Sequence, residues 1–191
     1  AGEVFLNGKA LSDIRERDLA AFRRSHLGFV FQDFNLLDTF SLRDNIFLPL
    51  VLSHKGHAEM AARLAPIARQ LGSEVLLDKY PYEVGQKPRA AVALALITKP
   101  EIVLADEPTG ALDSKATTKL LRMFGEINRG GQTILMVTHS TRAASHAGRV
   151  LFIKDGVVFH QLYRGNMTSD EMFAKIGDTL TMLTTGGADR G

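Results

Sequence analysis

The sequence predicts an α/β fold built around a parallel sheet, and three segments support this prediction. Two short apolar runs, over 101–105 and 133–137, have the composition of buried strands. Between them, residues 114–128 place apolar side chains on one face of a predicted helix. Strand, helix and strand in this order form a right-handed crossover, which puts ligand sites at the carboxyl ends of the strands.

The composition is that of a water-soluble globular domain and excludes several classes of function. Of 191 residues, 45% are hydrophobic and 23% charged, and there is no cysteine, which removes disulfides, thiolate metal sites and cysteine nucleophiles. A formal charge of +2 gives little support for a nucleic-acid surface. The longest apolar runs, 46–52 and 90–97, are far shorter than the ~20 residues that cross a bilayer.

The first half of the chain is predicted to contain a β edge followed by helices. Asn7-Gly8 after a short strand is typical of a tight hairpin turn. A surface helix is predicted over 12–26, with Ser12 and Glu16 as an approximate capping pair. The apolar run 27–31 is predicted to be a strand. Two helices are expected over 42–72, interrupted near 53–56.

The second half is predicted to contain two helices, a hairpin and a tail. The alanine-rich segment 86–98 favours a helix ending before Pro100. Asp155-Gly156 between apolar runs predicts a hairpin over 150–162. A short helix is expected after Met167, and the Thr- and Gly-rich end of the chain is expected to fray.

Polar side chains with a capacity for chemistry follow the two buried strands. Asp106 and Glu107 end the first strand, where one carboxylate could hold Mg²⁺ while the next faces an attacking water. Alternatively, the two acids only lead into a turn at Pro108. Thr138 and His139 follow the second strand, and His139 could instead cap a helix starting near Ser140.

Residues 102–114, Ile-Val-Leu-Ala-Asp-Glu-Pro-Thr-Gly-Ala-Leu-Asp-Ser, resemble the Walker B strand and D-loop of ABC ATPases. Three further segments agree in order: 29–33 resembles the Q-loop, 86–89 the tail of the signature motif, and 137–139 the H-loop. The resemblance covers roughly residues 2–162. Segments 31–37, 109–114 and 149–156 resemble most the ATPases of macrolide, lipoprotein-release and bacitracin-resistance exporters.

The resemblance implies a role for each matching residue. Asp106 would contact Mg²⁺ and Glu107 would polarise the attacking water, while His139 would reach the γ-phosphate of ATP. Gln32 would sense Mg²⁺ and the γ-phosphate and link the site to a membrane partner. Asp113 would reach a second subunit, a role compatible with capping the helix that begins at Ser114.

Two parts of the family pattern differ in this sequence. No Gly-x-x-x-x-Gly-Lys-Ser/Thr loop occurs, and the start at Ala1 resembles the family just after the helix that follows this loop. Where the family has Ser-Gly-Gly-Gln, only Gly85 and Gln86 remain to contact nucleotide. Either loop residues are left out of the chain as given or the gene product is truncated. Pro88 fits only within the first turn of the following helix.

The resemblance implies an ABC-type P-loop ATPase core over 1–165, with a helical subdomain at about 42–98, an antiparallel β edge and its N-terminal block missing. Residues 166–191 are expected to form a flexible extension. The implied cofactors are ATP and Mg²⁺. The implied partners are a second ATPase subunit and a membrane permease at the cytoplasmic face of the membrane, with no nucleic acid. A catalytically inactive binding module and an ATPase acting on DNA or ribosomes are the alternatives.

Overall fold

Seven strands and seven α-helices lie in the part of the chain that the computed structural model describes, residues 2–83, 85 and 87–185. The chain divides into two compact units. Unit 1 comprises Ala1–Ala105 and Gln132–Leu135, and unit 2 comprises Asp106–Gly131 and Met136–Gly191. The domain bounds expected from the sequence, 1–165 and 166–191, stay predictions.

Unit 1 begins with a two-stranded hairpin. Strands β1 (Phe5–Leu6) and β2 (Lys9–Ala10) pair antiparallel around Asn7 and Gly8, whose φ angles of 49° and 78° confirm the predicted turn. Helix α1 (Glu16–His26) starts later than expected. Its N-cap is Arg15, without a side-chain hydrogen bond, so the predicted capping role of Ser12 is wrong.

The sheet of unit 1 contains β3 (Leu27–Val30), β4 (Ile102–Asp106) and β5 (Thr133–Val137), in that spatial order. Strands β3 and β4 run parallel, with Phe29 opposite Leu104, in keeping with the parallel sheet that the sequence predicts. The last residue of β4 and the last two of β5 are counted with unit 2. The polar residues that follow β4 and β5 therefore belong to unit 2.

Three helices complete unit 1 and confirm the predicted helical stretches. They are α2 (Leu42–Val51), α3 (His57–Leu71) and α4 (Lys87–Leu96). Helix α4 contacts α2, α3 and β3, and its alanines are buried. Small side chains are needed because β3 passes close by: a Cβ on Gly28 would lie 2.4 Å from the Ala95 carbonyl oxygen. Pro88 is in the first turn of α4, as predicted.

Unit 2 contains α5 (Ser114–Arg129), α6 (Thr141–Ala144), β6 (Arg149–Lys154), β7 (Val157–Tyr163) and α7 (Ser169–Thr185). Strands β6 and β7 pair antiparallel around Asp155 and Gly156, both at positive φ, which confirms the predicted hairpin. Four buried side chains form an apolar cluster between this hairpin and α7: Phe152, Leu162, Met172 and Ile176.

Helix α7 is longer than the short helix that the sequence predicts. It runs for 17 residues. Its start is capped by Thr168 and Glu171: the Glu171 carboxylate accepts from the Thr168 N–H at 2.7 Å, and the Thr168 hydroxyl accepts from the Glu171 N–H at 3.2 Å. Burial of Met172 and Ile176 then stabilises a segment whose threonines and glycine are weak helix formers. Residues 186–191, part of the expected extension, lie outside the described residues.

Candidate active site

The turn after β4 holds Glu107 in an unusual backbone conformation. Glu107 has φ 42°, in the left-handed region that side chains other than glycine rarely adopt. Its N–H donates to the Val137 carbonyl at 2.9 Å, and its own carbonyl accepts from the Gly110 N–H at 2.9 Å. Pro108, next in the chain, is fully buried. Strain of this kind persists only where surrounding contacts enforce it, and it is common at functional sites.

The Glu107 carboxylate is held by the residues that follow β5. One oxygen, Oε1, accepts from the His139 backbone N–H at 2.6 Å. The other, Oε2, accepts from the Thr138 hydroxyl at 3.0 Å. A carboxylate has about four lone-pair positions, so these two bonds orient the group and leave acceptor capacity for a water molecule. The side chain is 23% exposed, which makes that capacity accessible.

The His139 side chain extends into solvent beside this carboxylate. Its Nε2 lies 3.8 Å from Glu107 Oε1, and its side chain is 98% exposed. The alternative that His139 caps the next helix is wrong, because Ser140 has that role: its hydroxyl accepts from the Ala143 N–H at 3.2 Å. The imidazole is thus left available for a ligand.

Asp106 and Asp113 flank Glu107 in unit 2, and both are exposed. Asp113 is the N-cap of α5, its Oδ1 accepting from the Ala116 N–H at 2.7 Å, as the sequence predicted. Its second carboxylate oxygen remains available for another interaction. For Asp106, we find no hydrogen-bond partner for the carboxylate among the described residues.

Gln32 and Gly85 belong to unit 1. Gln32 is exposed just beyond β3, as predicted, and Phe34 and Asn35 after it both have positive φ, 63° and 46°. Gly85 is exposed in the turn before α4, and a Cβ there would meet nothing within 4 Å. Gln86, which the sequence places in the nucleotide site, lies outside the described residues.

Sequence reasoning missed Asn45, which organises the segment following Gln32. Asn45 is 2% exposed in the first turn of α2. Its Oδ1 accepts from the Leu37 N–H at 2.8 Å, and its Nδ2 lies 3.0, 3.2 and 2.9 Å from the carbonyls of Leu37, Phe40 and Ser41. The only signal in the sequence is an amide directly before the apolar run 46–52.

The described residues contain no group of three or more His, Cys, Asp or Glu side chains placed to hold a metal ion. A site of that kind is not needed for nucleotide-bound Mg²⁺, which typically takes one or two carboxylates and completes its coordination with phosphate and water oxygens. The exposed carboxylate of Asp106, at the end of β4, fits such a single ligand.

Similarity to known proteins indicates the family of this chain. A family model described as "ABC transporter" matches residues 1–110. The ABC transporter ATP-binding protein YxdL of Bacillus subtilis (strain 168) is 47% identical over 96% of this chain and 72% of its own length. The chain belongs to the ABC transporter ATP-binding family. It therefore shares the family's class of activity, the binding and hydrolysis of ATP in transport.

Two further relatives of this ABC protein carry more specific descriptions. The bacitracin export ATP-binding protein BceA of Halalkalibacterium halodurans is 42% identical over 95% of this chain and 73% of its own length. A solved structure of the ATP-binding cassette MJ0796, a dimer in a post-hydrolysis state bound to ADP and Pi, has a TM-score of 0.72 and 33% identity over 85% of this chain and 73% of that one. This structure confirms the predicted ABC ATPase fold class.

The described helices of this ABC protein differ from membrane-spanning segments. Within 2–83, 85 and 87–185, none combines the length and the apolar character that a transmembrane span requires.

Proposed function

We propose that this chain hydrolyses ATP with Mg²⁺ at the carboxyl ends of β4 and β5, and that this hydrolysis energises an exporter. The observation that carries the proposal is the Glu107 carboxylate, held on both oxygens by Thr138 and His139 and still partly exposed. A carboxylate fixed in this way can orient a water molecule for in-line attack on a phosphoryl group, which is the positioning that phosphoryl transfer requires.

Three residues of unit 2 would carry the chemistry. Asp106 would be a ligand of Mg²⁺, which when bound neutralises charge on the phosphates. Glu107 would accept a hydrogen bond from the attacking water and take its proton as the new O–P bond forms and the bond from the γ-phosphorus to the departing ADP oxygen breaks. His139, exposed beside Glu107, would donate to the γ-phosphate.

Four other residues have roles that the family resemblance implies. Gln32 and the Gly85-Gln86 pair of unit 1 would contact Mg²⁺ and nucleotide, as the family resemblance implies. Gly85 supports this role because its surroundings are open enough for a phosphate to approach the backbone. Asp113 would use its uncommitted oxygen toward a second copy of the chain.

The partners that we propose are a second ATPase subunit and a membrane permease. A dimer is supported by the MJ0796 cassette, which was solved as one. The permease would hold the chain at the cytoplasmic face of the membrane.

We further propose a bacitracin-type peptide as the cargo, supported by the similarity to BceA along nearly the whole chain. Deleting the gene in its host should lower the bacitracin concentration that stops growth. If only macrolide sensitivity or lipoprotein release changed, the cargo would belong to one of those classes instead.

The central test is the Glu107→Gln substitution, which keeps the size of the side chain and removes its basicity. In the protein carrying whatever residues its gene encodes before Ala1, steady-state phosphate release should fall by about 10²–10⁴-fold. The affinity for ATP should change little, because the carboxylate acts on the water. Glu126→Gln is the matched control, since Glu126 is exposed on α5. Equal turnover in Glu107→Gln and the control would exclude the proposed role.

The alternative, an ABC-like binding module without catalysis, is favoured by one observation: the signature motif is shortened to Gly85-Gln86. Equilibrium dialysis with ATP and Mg²⁺ distinguishes the two functions. Micromolar affinity would count against the alternative, whereas no measurable binding by the protein used in the turnover assay would support it.

A further inference from the structure

Thr138 has no assigned contact with nucleotide in the proposed function, yet its side chain bonds to both Glu107 and Ser140. Its hydroxyl lies 3.0 Å from Glu107 Oε2 and 3.0 Å from the Ser140 backbone nitrogen. Ser140 in turn caps α6 through its own hydroxyl. A chain of hydrogen bonds therefore runs from the start of α6 to the Glu107 carboxylate.

The direction of each bond in this chain is determined by donor and acceptor chemistry. The Ser140 N–H can only donate, so it occupies an acceptor position of the Thr138 oxygen. An ionised carboxylate can only accept, so the single hydroxyl proton of Thr138 is directed at Glu107. Hydrogen bonds to an ionised acceptor are about twice as strong as neutral ones, and a donor that is itself polarised strengthens them further.

Glu107 needs such an anchor more than an ordinary glutamate does. Its backbone is in the left-handed region, so the direction of its side chain depends on contacts beyond the turn itself. Of the two bonds to its carboxylate, the one from His139 uses a backbone N–H, which every residue except proline would keep. Without the Thr138 hydroxyl, Oε2 would lose its protein donor, and the carboxylate could rotate about the bond to its side chain.

We propose that Thr138 is a positioning residue for ATP hydrolysis, which aims the Glu107 carboxylate by donating to Oε2. This inference rests on the proposed role of Glu107 and assigns no contact between Thr138 and nucleotide. It predicts that losing the hydroxyl slows the chemical step and leaves nucleotide binding unchanged, because only the orientation of the group that faces the water is affected.

The test compares Thr138→Val, which keeps the shape and loses the hydroxyl, with Thr138→Ser, which keeps the hydroxyl. In the full-length gene product, Thr138→Val should lower kcat about tenfold with KM for ATP unchanged, less than the loss expected for Glu107→Gln. Thr138→Ser should restore most of the rate. Thr141→Val, the same change three residues along, should match the parent protein.

A second measurement needs no turnover. The His139 amide is bonded to Glu107 Oε1, so its hydrogen exchange reports whether the carboxylate stays in place. Thr138→Val should speed this exchange about tenfold, and Glu107→Ala, which removes the carboxylate, should also speed it. Thr138→Ser and Thr141→Val should leave the exchange rate unchanged.

The outcomes separate this inference from the proposed function. If Glu107→Gln retains full turnover, or the parent protein has none, the proposed function fails and the exchange measurement alone decides whether Thr138 holds the carboxylate. If Glu107→Gln abolishes turnover while Thr138→Val matches the parent protein in kcat or in His139 exchange, Thr138 is not a positioning residue. A raised KM at constant kcat would also contradict the proposal.

Discussion

Asn45 and Glu107 show how the hydrogen bonds of a single side chain can fix the conformation of a loop. Asn45 ties the segment 37–41 to α2 through hydrogen bonds that use both ends of its amide, and Glu107 ties the turn after β4 to the residues following β5. Loops that carry such bonds hold one conformation, which a site needs when it must orient a small reactant such as water.

Replacing the Asn45 amide by a carboxylate should strongly destabilise unit 1. In Asn45→Asp the Nδ2 donor becomes an acceptor facing the carbonyls of Leu37, Phe40 and Ser41, inside a nearly inaccessible site. We expect the free energy of unfolding in denaturant to fall by about 3 kcal/mol. Asn166→Asp, the same change at an exposed turn, is the control. A loss below about 0.5 kcal/mol in Asn45→Asp would contradict this account of the loop.

The partly buried His146 should make unit 2 less stable in acid. Burial lowers the pKa of His146 below its usual value of about 6.5, and repulsion from Arg142 and Arg164 lowers it further, against a smaller opposing effect of Asp170. Between the lowered pKa and about 6.5, the unfolded chain binds a proton that the folded chain does not. Stability is therefore fully present above about pH 6.5 and is lost as the pH falls below it.

The measurement is the free energy of unfolding in denaturant as a function of pH, for the parent chain and for His146→Gln. The difference between the two proteins at pH 8 gives the effect of the substitution on packing. The parent chain should then lose more stability than the variant between about pH 6.5 and pH 5. Parallel curves over this range would show that His146 takes up its proton equally in both states.

At the scale of elements, the close approach of β3 to α4 is a tight packing constraint in unit 1. Gly28→Ala would place a methyl group 2.4 Å from the Ala95 carbonyl oxygen, which is backbone and cannot rotate away. We expect a loss of about 2–3 kcal/mol in unfolding free energy, typical of an overpacked core.

Gly177→Ala in α7 is the matched control for Gly28→Ala. No atom outside the helix lies within 4 Å of the added methyl group, and alanine is the better helix former, so stability should rise by about 0.5–1 kcal/mol. If both substitutions changed stability in the same direction, the packing argument for Gly28 would be wrong.

At the scale of the whole molecule, each unit holds residues to which the family resemblance gives a role. Gln32 and Gly85 belong to unit 1, whereas Asp106, Glu107, Asp113 and His139 belong to unit 2. Asp113, exposed with one uncommitted oxygen, adds a proposed contact with a second copy.

Two copies of the chain should therefore associate only when ATP is bound and is not hydrolysed. In sedimentation velocity, Glu107→Gln with ATP and Mg²⁺ should shift from monomer toward dimer, because the nucleotide would be bound and not hydrolysed. The same protein with ADP should remain mostly monomeric. A monomer under both conditions would contradict the dimer that we propose.

The elements that the sequence predicted correctly are those whose cause lies in neighbouring residues. Asn7-Gly8 and Asp155-Gly156 adopt positive φ because these residue types tolerate it, and Asp113 caps α5 because its side chain reaches a backbone N–H three residues later. Helix α7 was underestimated, since its threonines and glycine are poor helix formers and its stability comes from Met172 and Ile176 packing against the β6–β7 hairpin.

The sequence by itself therefore determined the family, the order of strands and helices, and the residue types available for ATP chemistry. These features depend on local conformational preferences and on motifs, and both are set by residues that are close together in the chain. Only the tertiary structure decided that Thr138 and the His139 N–H hold the Glu107 carboxylate, and that Asn45 holds the loop after Gln32. The first two bonds join residues 31 and 32 positions apart, and hydrogen bonds over such separations exist only once the sheet has brought the ends of β4 and β5 together.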